Sequence, residues 1–137
     1  MENPDVAKTV LDFYKTLPFN YYGSIEEQVK SVLQLRLIEE LYPPLKGLVA
    51  PCKNLLEIGC GPGWMTNSTA NNYKKRVLGV DFNPHAIERA QAVANELKLK
   101  SEFHCDDLFK FSENKRAEDE CFDLIISLGV LHHTDNC

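Results

Sequence analysis

Three glycines, Gly59, Gly61 and Gly63, alternate directly behind the apolar run Leu55-Leu56-Glu57-Ile58. A strand that turns sharply into a helix needs residues that tolerate positive φ, and missing side chains let a ligand lie against the backbone. The arrangement implies a nucleotide-like cofactor. A dinucleotide fingerprint G-x-G-x-x-G counted from Gly59 requires glycine at position 64, where Trp64 stands. Glu57, two residues before the first glycine, puts a negative charge near the carboxyl end of the strand. Such a charge repels a pyrophosphate and attracts a cationic ligand. Eighteen residues beyond Gly63, Asp81 closes a second apolar run. An acid there can accept both hydroxyls of a ribose.

The run Glu57-Ile58-Gly59-Cys60-Gly61-Pro62-Gly63 resembles motif I of the class I S-adenosylmethionine-dependent methyltransferases, and Val80-Asp81 falls where that family binds the ribose. Cys105-Asp106-Asp107-Leu108 is similar to the family's next motif, in which an acid accepts the adenine amino group and nearby backbone reads the ring. The segment from Phe122 to His133 is similar to the fourth-strand motif that closes over the methionine part of the cofactor. Four motifs in the family's order are far more specific than one. The resemblance implies S-adenosylmethionine as cofactor, bound by Glu57, Gly59, Cys60, Gly61, Gly63, Asp81, Phe82, Asp106, Asp107, Leu108 and Ser127. Glu57 would hold the methionine ammonium, Asp81 the ribose, and Asp106, with Asp107 as the alternative, the adenine. The implied reaction is direct in-line displacement of a methyl group onto a small-molecule acceptor, in which positioning does most of the work. The competing reading is a non-catalytic or partner-dependent S-adenosylmethionine-binding protein. A nicotinamide dehydrogenase is disfavoured by Trp64 and Glu57.

Several of these residues have plainer readings. Asp107 could simply cap the next turn, and Phe82 could fill the corner between sheet and helix rather than stack on adenine. Trp64 is expected to pack the first helix of the domain against the sheet. His132, His133 and Asp135 are base candidates by location only, and catalytic residues stay unassigned. Two adjacent histidines without a further ligand make no metal site. His85 and His104 carry no assigned task. The phenols of Tyr14, Tyr21 or Tyr22 could reach the methionine carboxylate from a lid, or pack in the core.

The elements that would hold these groups alternate. Strands are expected at 55–58, 76–80, 101–105 and 122–128, the last apolar enough for the centre of a sheet. Asn83-Pro84 supply an N-cap and first-turn proline for a helix with Ile87, Ala90, Ala94 and Leu97 inward. The charged stretch 112–120 reads as a solvated loop or surface helix. The order predicts an α/β, Rossmann-like, doubly wound parallel sheet over residues 51–137. Residues 1–50 read as an N-terminal helical lid or packing segment. A helix over roughly 5–17 stops at Pro18. A second starts at the capping box Ser24 and Glu27, with Ile25, Val29, Leu33, Leu37 and Leu41 repeating every fourth residue up to Pro43-Pro44 and Val32, Leu35 and Ile38 beside them.

Composition narrows the class. Of 137 residues, 44% are hydrophobic and 26% charged, as in ordinary globular chains. Fifteen Lys and Arg against twenty Asp and Glu give a net charge of −5, without the basic stripe that attracts phosphate backbones. Lys74-Lys75-Arg76 reads as a solvated turn. Nucleic acid and membrane are therefore not expected partners. Five cysteines without C-x-x-C spacing suggest reduced thiols and no zinc site, and the acidic start lacks the features of a secretory signal. Together these predict a cytoplasmic protein. The fold it resembles has seven strands, so the four counted here predict a domain incomplete at its C-terminus. The fourth strand would be left at an open edge, to be covered by a partner or a second copy.

Overall fold

A computed structural model describes Lys8, Asp12 and residues 23–34, 43–113, 121–128, 130 and 131. Within them lie helix α1 (Ile25–Gln34), helix α2 (Pro43–Val49), strand β1 (Asn54–Ile58), helix α3 (Trp64–Tyr73), strand β2 (Arg76–Asp81), helix α4 (Pro84–Leu97), strand β3 (Ser101–Cys105), helix α5 (Leu108–Ser112) and strand β4 (Leu124–Ser127). The strands form one parallel sheet in the order β3-β2-β1-β4. This is the alternating α/β architecture expected, with three of the four strands at the expected places and β4 shorter than anticipated.

The pleat sorts side chains onto two faces. Leu55, Val77 and Ile126 meet Met65, Ala70, Leu45 and Val49 on one side. Leu56, Leu78 and Val80 meet Phe111 of α5 on the other. Helix α4 packs on β3 and β2, and α1 lies across α3 and α4. Gly79, in the middle of β2, leaves room for two neighbours: a Cβ there would stand 2.8 Å from Cys60 Sγ and 2.9 Å from the Phe103 ring.

Both predicted caps form. The Ser24 amide donates to Glu27 Oε2 at 2.7 Å and the Glu27 amide to Ser24 Oγ at 3.2 Å, so each side chain satisfies an orphan donor of the other. Asn83 Oδ1 accepts the His85 amide at 3.1 Å with Pro84 in the first turn. The buried faces behind these caps differ from the apolar periodicity. In α1 the buried residues are Gln28 and Val32, whereas Leu33 is 56% exposed. In α4 they are Ala86, Arg89, Ala90, Val93 and Ala94, with Ile87 and Leu97 only partly covered. Both shifts have one cause: a hydrogen-bonded pair, Gln28 and Arg89, occupies the contact between the two helices. The expected helical residues Leu35, Leu37, Ile38 and Leu41 lie outside the described residues, as do Tyr14, Tyr21, Tyr22, His132, His133 and Asp135. Lys8 and Asp12 are helical.

Among the described residues, strand β4 stands at the edge of the sheet, the open edge expected for it, although its apolar run suits a central position, and Ile125 is 58% exposed there. Its start is pinned by Asp123, whose Oδ2 accepts the amides of Lys53 and Asn54 at 2.7 and 2.8 Å. Those bonds, first Asn54 and then Lys53, hold the carboxyl below its ordinary pKa. The cationic cluster lies at the opposite end of the sheet from the glycine loop. Lys74 caps α3 in a left-handed conformation, Lys75 Nζ donates to Ala50 O at 2.8 Å, and Arg76 pairs with Glu102 at 2.9 Å.

Candidate functional site

All three glycines of the loop between β1 and α3 have left-handed backbones, with φ of +72°, +51° and +80° at Gly59, Gly61 and Gly63. They differ in what a side chain would meet. At Gly59 a Cβ would collide with Val130 at 2.2 Å, and at Gly63 with Ala90 at 2.7 Å, whereas at Gly61 it would meet nothing within 4 Å among the described residues. The outer two glycines thus allow close packing inside the protein, and the middle one leaves a bare stretch of backbone facing open space. The loop is tied to β2 through Val80 O, which accepts the amides of Gly59 at 2.7 Å and Cys60 at 3.1 Å. The Cys60 thiol turns into the protein under Gly79, where burial raises its pKa well above the usual thiol value. Any contact of Cys60 with a ligand is therefore a backbone contact.

Asp81 is held by the loop it faces. Its Oδ2 accepts the Gly61 amide at 2.8 Å and its Oδ1 the Asn83 amide at 2.9 Å, with the Phe82 amide adding a third bond. Burial nevertheless raises its pKa, outweighing those three amides. A carboxylate offers about four acceptor sites, so capacity remains for a ligand hydroxyl. Asp106 joins the same group through its amide, which donates to Asp81 O at 3.0 Å. Its Oδ2 lies 3.5 Å from His104 Nε2. Asp107 does what its plainer reading predicts: Oδ1 accepts the amides of Phe109 at 2.9 Å and Lys110 at 3.4 Å, capping α5. Asp106 Oδ1 in turn accepts the Asp107 amide at 2.9 Å, so both carboxylates have partners within the protein. Leu108 opens α5 half-buried, and Phe82 is half-buried beyond Asp81.

Glu57 sits below the loop and is 5% exposed. Its carboxylate accepts both the hydroxyl and the amide of Thr66. Gly63, at the N-cap of α3, has no side chain to bond the first turn, and Glu57 supplies that cap from the neighbouring strand. Burial pushes its pKa up to about 7, against the lowering effect of Thr66 and helped by Asp81. Because the folded value lies above the unfolded one, the stability contributed by the protonated form is complete below pH 4.5 and is lost as pH rises through about 7. Wild type should thus lose about 2 to 3 kcal/mol more stability between pH 5 and 8 than Glu57→Gln. Urea unfolding of both proteins at the two pH values measures this, and parallel pH profiles would refute it.

Sequence reasoning missed Thr66, Gln28 and Arg89. Thr66 lies in the helix Trp-Met-Thr-Asn-Ser-Thr-Ala-Asn-Asn-Tyr, in which Met65 to Ala70 are all buried. A helix polar on every side gives no period by which to find its inner face. The Glu57-to-Thr66 spacing across a strand-to-helix turn was the available signal.

The structure therefore gathers Gly59 to Gly63, Asp81, Asp106 and Ser127 at the carboxyl ends of four adjacent parallel strands, the place where open α/β sheets bind ligands. Three features fit a cofactor made of an amino acid, a ribose and a purine. Among the described residues, Gly61 offers uncovered backbone, Asp81 and Asp106 offer carboxylates on neighbouring strand ends, and Ser127 Oγ, in register with Ile58, is buried without a hydrogen-bond partner.

Comparison with known proteins agrees with this geometry. The family described as a methyltransferase domain matches residues 55–137. A "Putative protein N5-glutamine methyltransferase" of Methanocaldococcus jannaschii is 33% identical over 86 residues, covering 57% of this chain and 44% of that protein. The tRNA U34 carboxymethyltransferase of Shewanella baltica is 26% identical over 117 residues, covering 85% of this chain and 33% of that one. Among solved structures, PKMT2 from Rickettsia typhi in complex with AdoHcy superimposes with a TM-score of 0.50 at 28% identity, over 61% of this chain and 15% of that one. The chain thus spans less than half the length of these curated relatives. No helix among the described residues is long and apolar enough to cross a membrane. With residues 55–137 matching its model, the chain belongs to the methyltransferase domain family, whose cofactor is S-adenosylmethionine.

Proposed function

We propose that this chain carries the cofactor-binding part of a cytoplasmic S-adenosylmethionine-dependent methyltransferase acting on a small-molecule acceptor. The observation that carries the reading is Asp81, fixed between the Gly61 and Asn83 amides beside uncovered loop backbone. In this reading the bound cofactor supplies an electrophilic methyl group on a sulfonium. Asp81 accepts ribose hydroxyl, Asp106 accepts the adenine amino group, the loop backbone lies against the amino-acid part, and Ser127 Oγ, unpaired among the described residues, gains a partner. Glu57, whose carboxylate is occupied by Thr66, contributes negative potential under the ammonium rather than a direct bond. The residues 1–50 serve as packing segment and lid, supported by α1 lying across α3 and α4. A partner segment or second copy covers β4, where Ile125 is exposed.

The small-molecule acceptor is supported by charge. The net charge is −5, and the cluster Lys74 to Arg76 sits at the amino end of β2, away from the site and engaged with Ala50 and Glu102. The relatives' names point to protein and tRNA acceptors for those proteins, so the test must span all three classes. The protein is incubated with S-adenosylmethionine and a panel of small amines, phenols and thiols, a tRNA pool, or a protein extract, and S-adenosylhomocysteine release is measured. Release with a small molecule is the expected result. Release only with tRNA or protein reassigns the acceptor, and tight binding without release in any arm favours the non-catalytic reading.

A further inference from the structure

Gln28 is far in sequence from the glycine loop, yet its side chain ends on it. It is fully buried, and Nε2 donates to Pro62 O at 2.7 Å, between Gly61 and Gly63, both with left-handed backbones. Its Oε1 accepts Arg89 Nε at 2.7 Å. Arg89, itself 8% exposed, reaches on to the start of α1, where its Nη2 donates to Gly23 O at 2.7 Å and Ser24 O at 2.9 Å. Those carbonyls belong to the capping box that opens the helix. One buried chain of hydrogen bonds thus runs from the first turn of α1, through Arg89 of α4 and Gln28, to the carbonyl of Pro62.

Proline has no amide hydrogen, so Pro62 can be anchored to protein through its backbone only at the carbonyl. Holding that carbonyl toward Gln28 fixes the peptide plane between Pro62 and Gly63. It thereby leaves the Gly61 side of the loop turned toward open space. Buried polar groups are costly to leave unpaired, which makes this arrangement all-or-none. We propose that Gln28 is a positioning residue for the cofactor loop, setting the orientation of the Pro62 carbonyl and passing the state of α1 to the site. The inference rests on the cofactor reading given above.

The test compares the dissociation constant for S-adenosylhomocysteine, measured by calorimetry, with the melting temperature in four proteins. Gln28→Glu keeps an acceptor for Arg89 but sets a carboxylate against the Pro62 carbonyl. Gln28→Met keeps the volume and removes both bonds. Val32→Ala loosens the buried face of the same helix without touching the loop. Relative to wild type, both Gln28 variants should weaken binding by about tenfold, whereas Val32→Ala should lower the melting temperature and leave affinity unchanged. Wild type that binds, with affinity unaltered in the Gln28 variants, overturns the positioning role alone. Wild type that fails to bind overturns the cofactor reading and this inference with it. If neither Gln28 variant folds, amide exchange in wild type decides: the Gly63 amide and those of α1 should open together, and independent opening counts against the coupling.

Discussion

Asp81→Ala should lower affinity for S-adenosylhomocysteine by at least about 100-fold, the largest effect expected of any single change in the site. Two losses combine. The ribose loses a charged acceptor, worth about 1.5–3 kcal/mol for a hydrogen bond of this type, and the Gly61 and Asn83 amides lose the oxygen that orients them. The fold should tolerate the change better than binding does, because burial already raises the pKa of this carboxyl and its charge is held at some cost. Asp81→Asn is the sharper control, since its amide nitrogen cannot accept from either backbone donor. Calorimetric titration together with thermal melting separates the two effects, and near-normal affinity in Asp81→Ala would falsify the assignment of the ribose site.

The second large effect is a contrast between two glycines. In Gly63→Ala the new methyl meets Ala90 Cβ at 2.7 Å, at a residue with φ of +80°. Helices α3 and α4 must move apart or the backbone must leave its left-handed conformation, and a loss of about 3 kcal/mol or more is expected. Gly61→Ala has the same handedness, with φ of +51°, but its methyl meets nothing within 4 Å among the described residues. Only the conformational strain applies, roughly 1–2 kcal/mol, so the protein should fold. Its methyl then occupies the uncovered side of the loop, and cofactor affinity should fall by about tenfold or more. Equal loss of stability in the two variants would contradict the division of labour between the glycines.

Local signals account for much of what could be read without coordinates. The capping box at Ser24 and Glu27, the cap at Asn83 and the punctuating glycines each depend on residues within a few positions of one another, so spacing alone carried them. Strands β1 to β3 were visible as short apolar runs for the same reason. What stayed hidden was decided by distant partners. Periodicity placed Ile25, Leu33 and Ile87 inward, and the structure instead buries Gln28 and Arg89, because a hydrogen-bonded pair 61 residues apart fills the helix contact. The apolar run Leu124-Ile125-Ile126 suggested a central strand, but centrality depends on neighbours on both sides, and among the described residues β4 pairs with β1 alone. For the candidate site, residue types pointed to Asp81 and the glycines, while the engagement of Glu57 by Thr66 and of Asp107 by α5 needed three dimensions.

The pairing of β4 with β1 also bears on the order in which the molecule assembles. Strands β1, β2 and β3 follow one another along the chain with a single helix between each pair, so their contacts close short loops. The β1 to β4 contact joins residues 69 apart, as at Asn54 and Asp123, and closure entropy rises with the length of the loop. Strand β4 is therefore expected to dock last and to detach first in partial opening. Because Val130 seats against Gly59 and Ser127 stands opposite Ile58, that late step would also complete the wall of the proposed ligand site. Ligand occupancy and docking of this strand then report on a single event, in which a bound molecule lengthens the lifetime of the closed sheet.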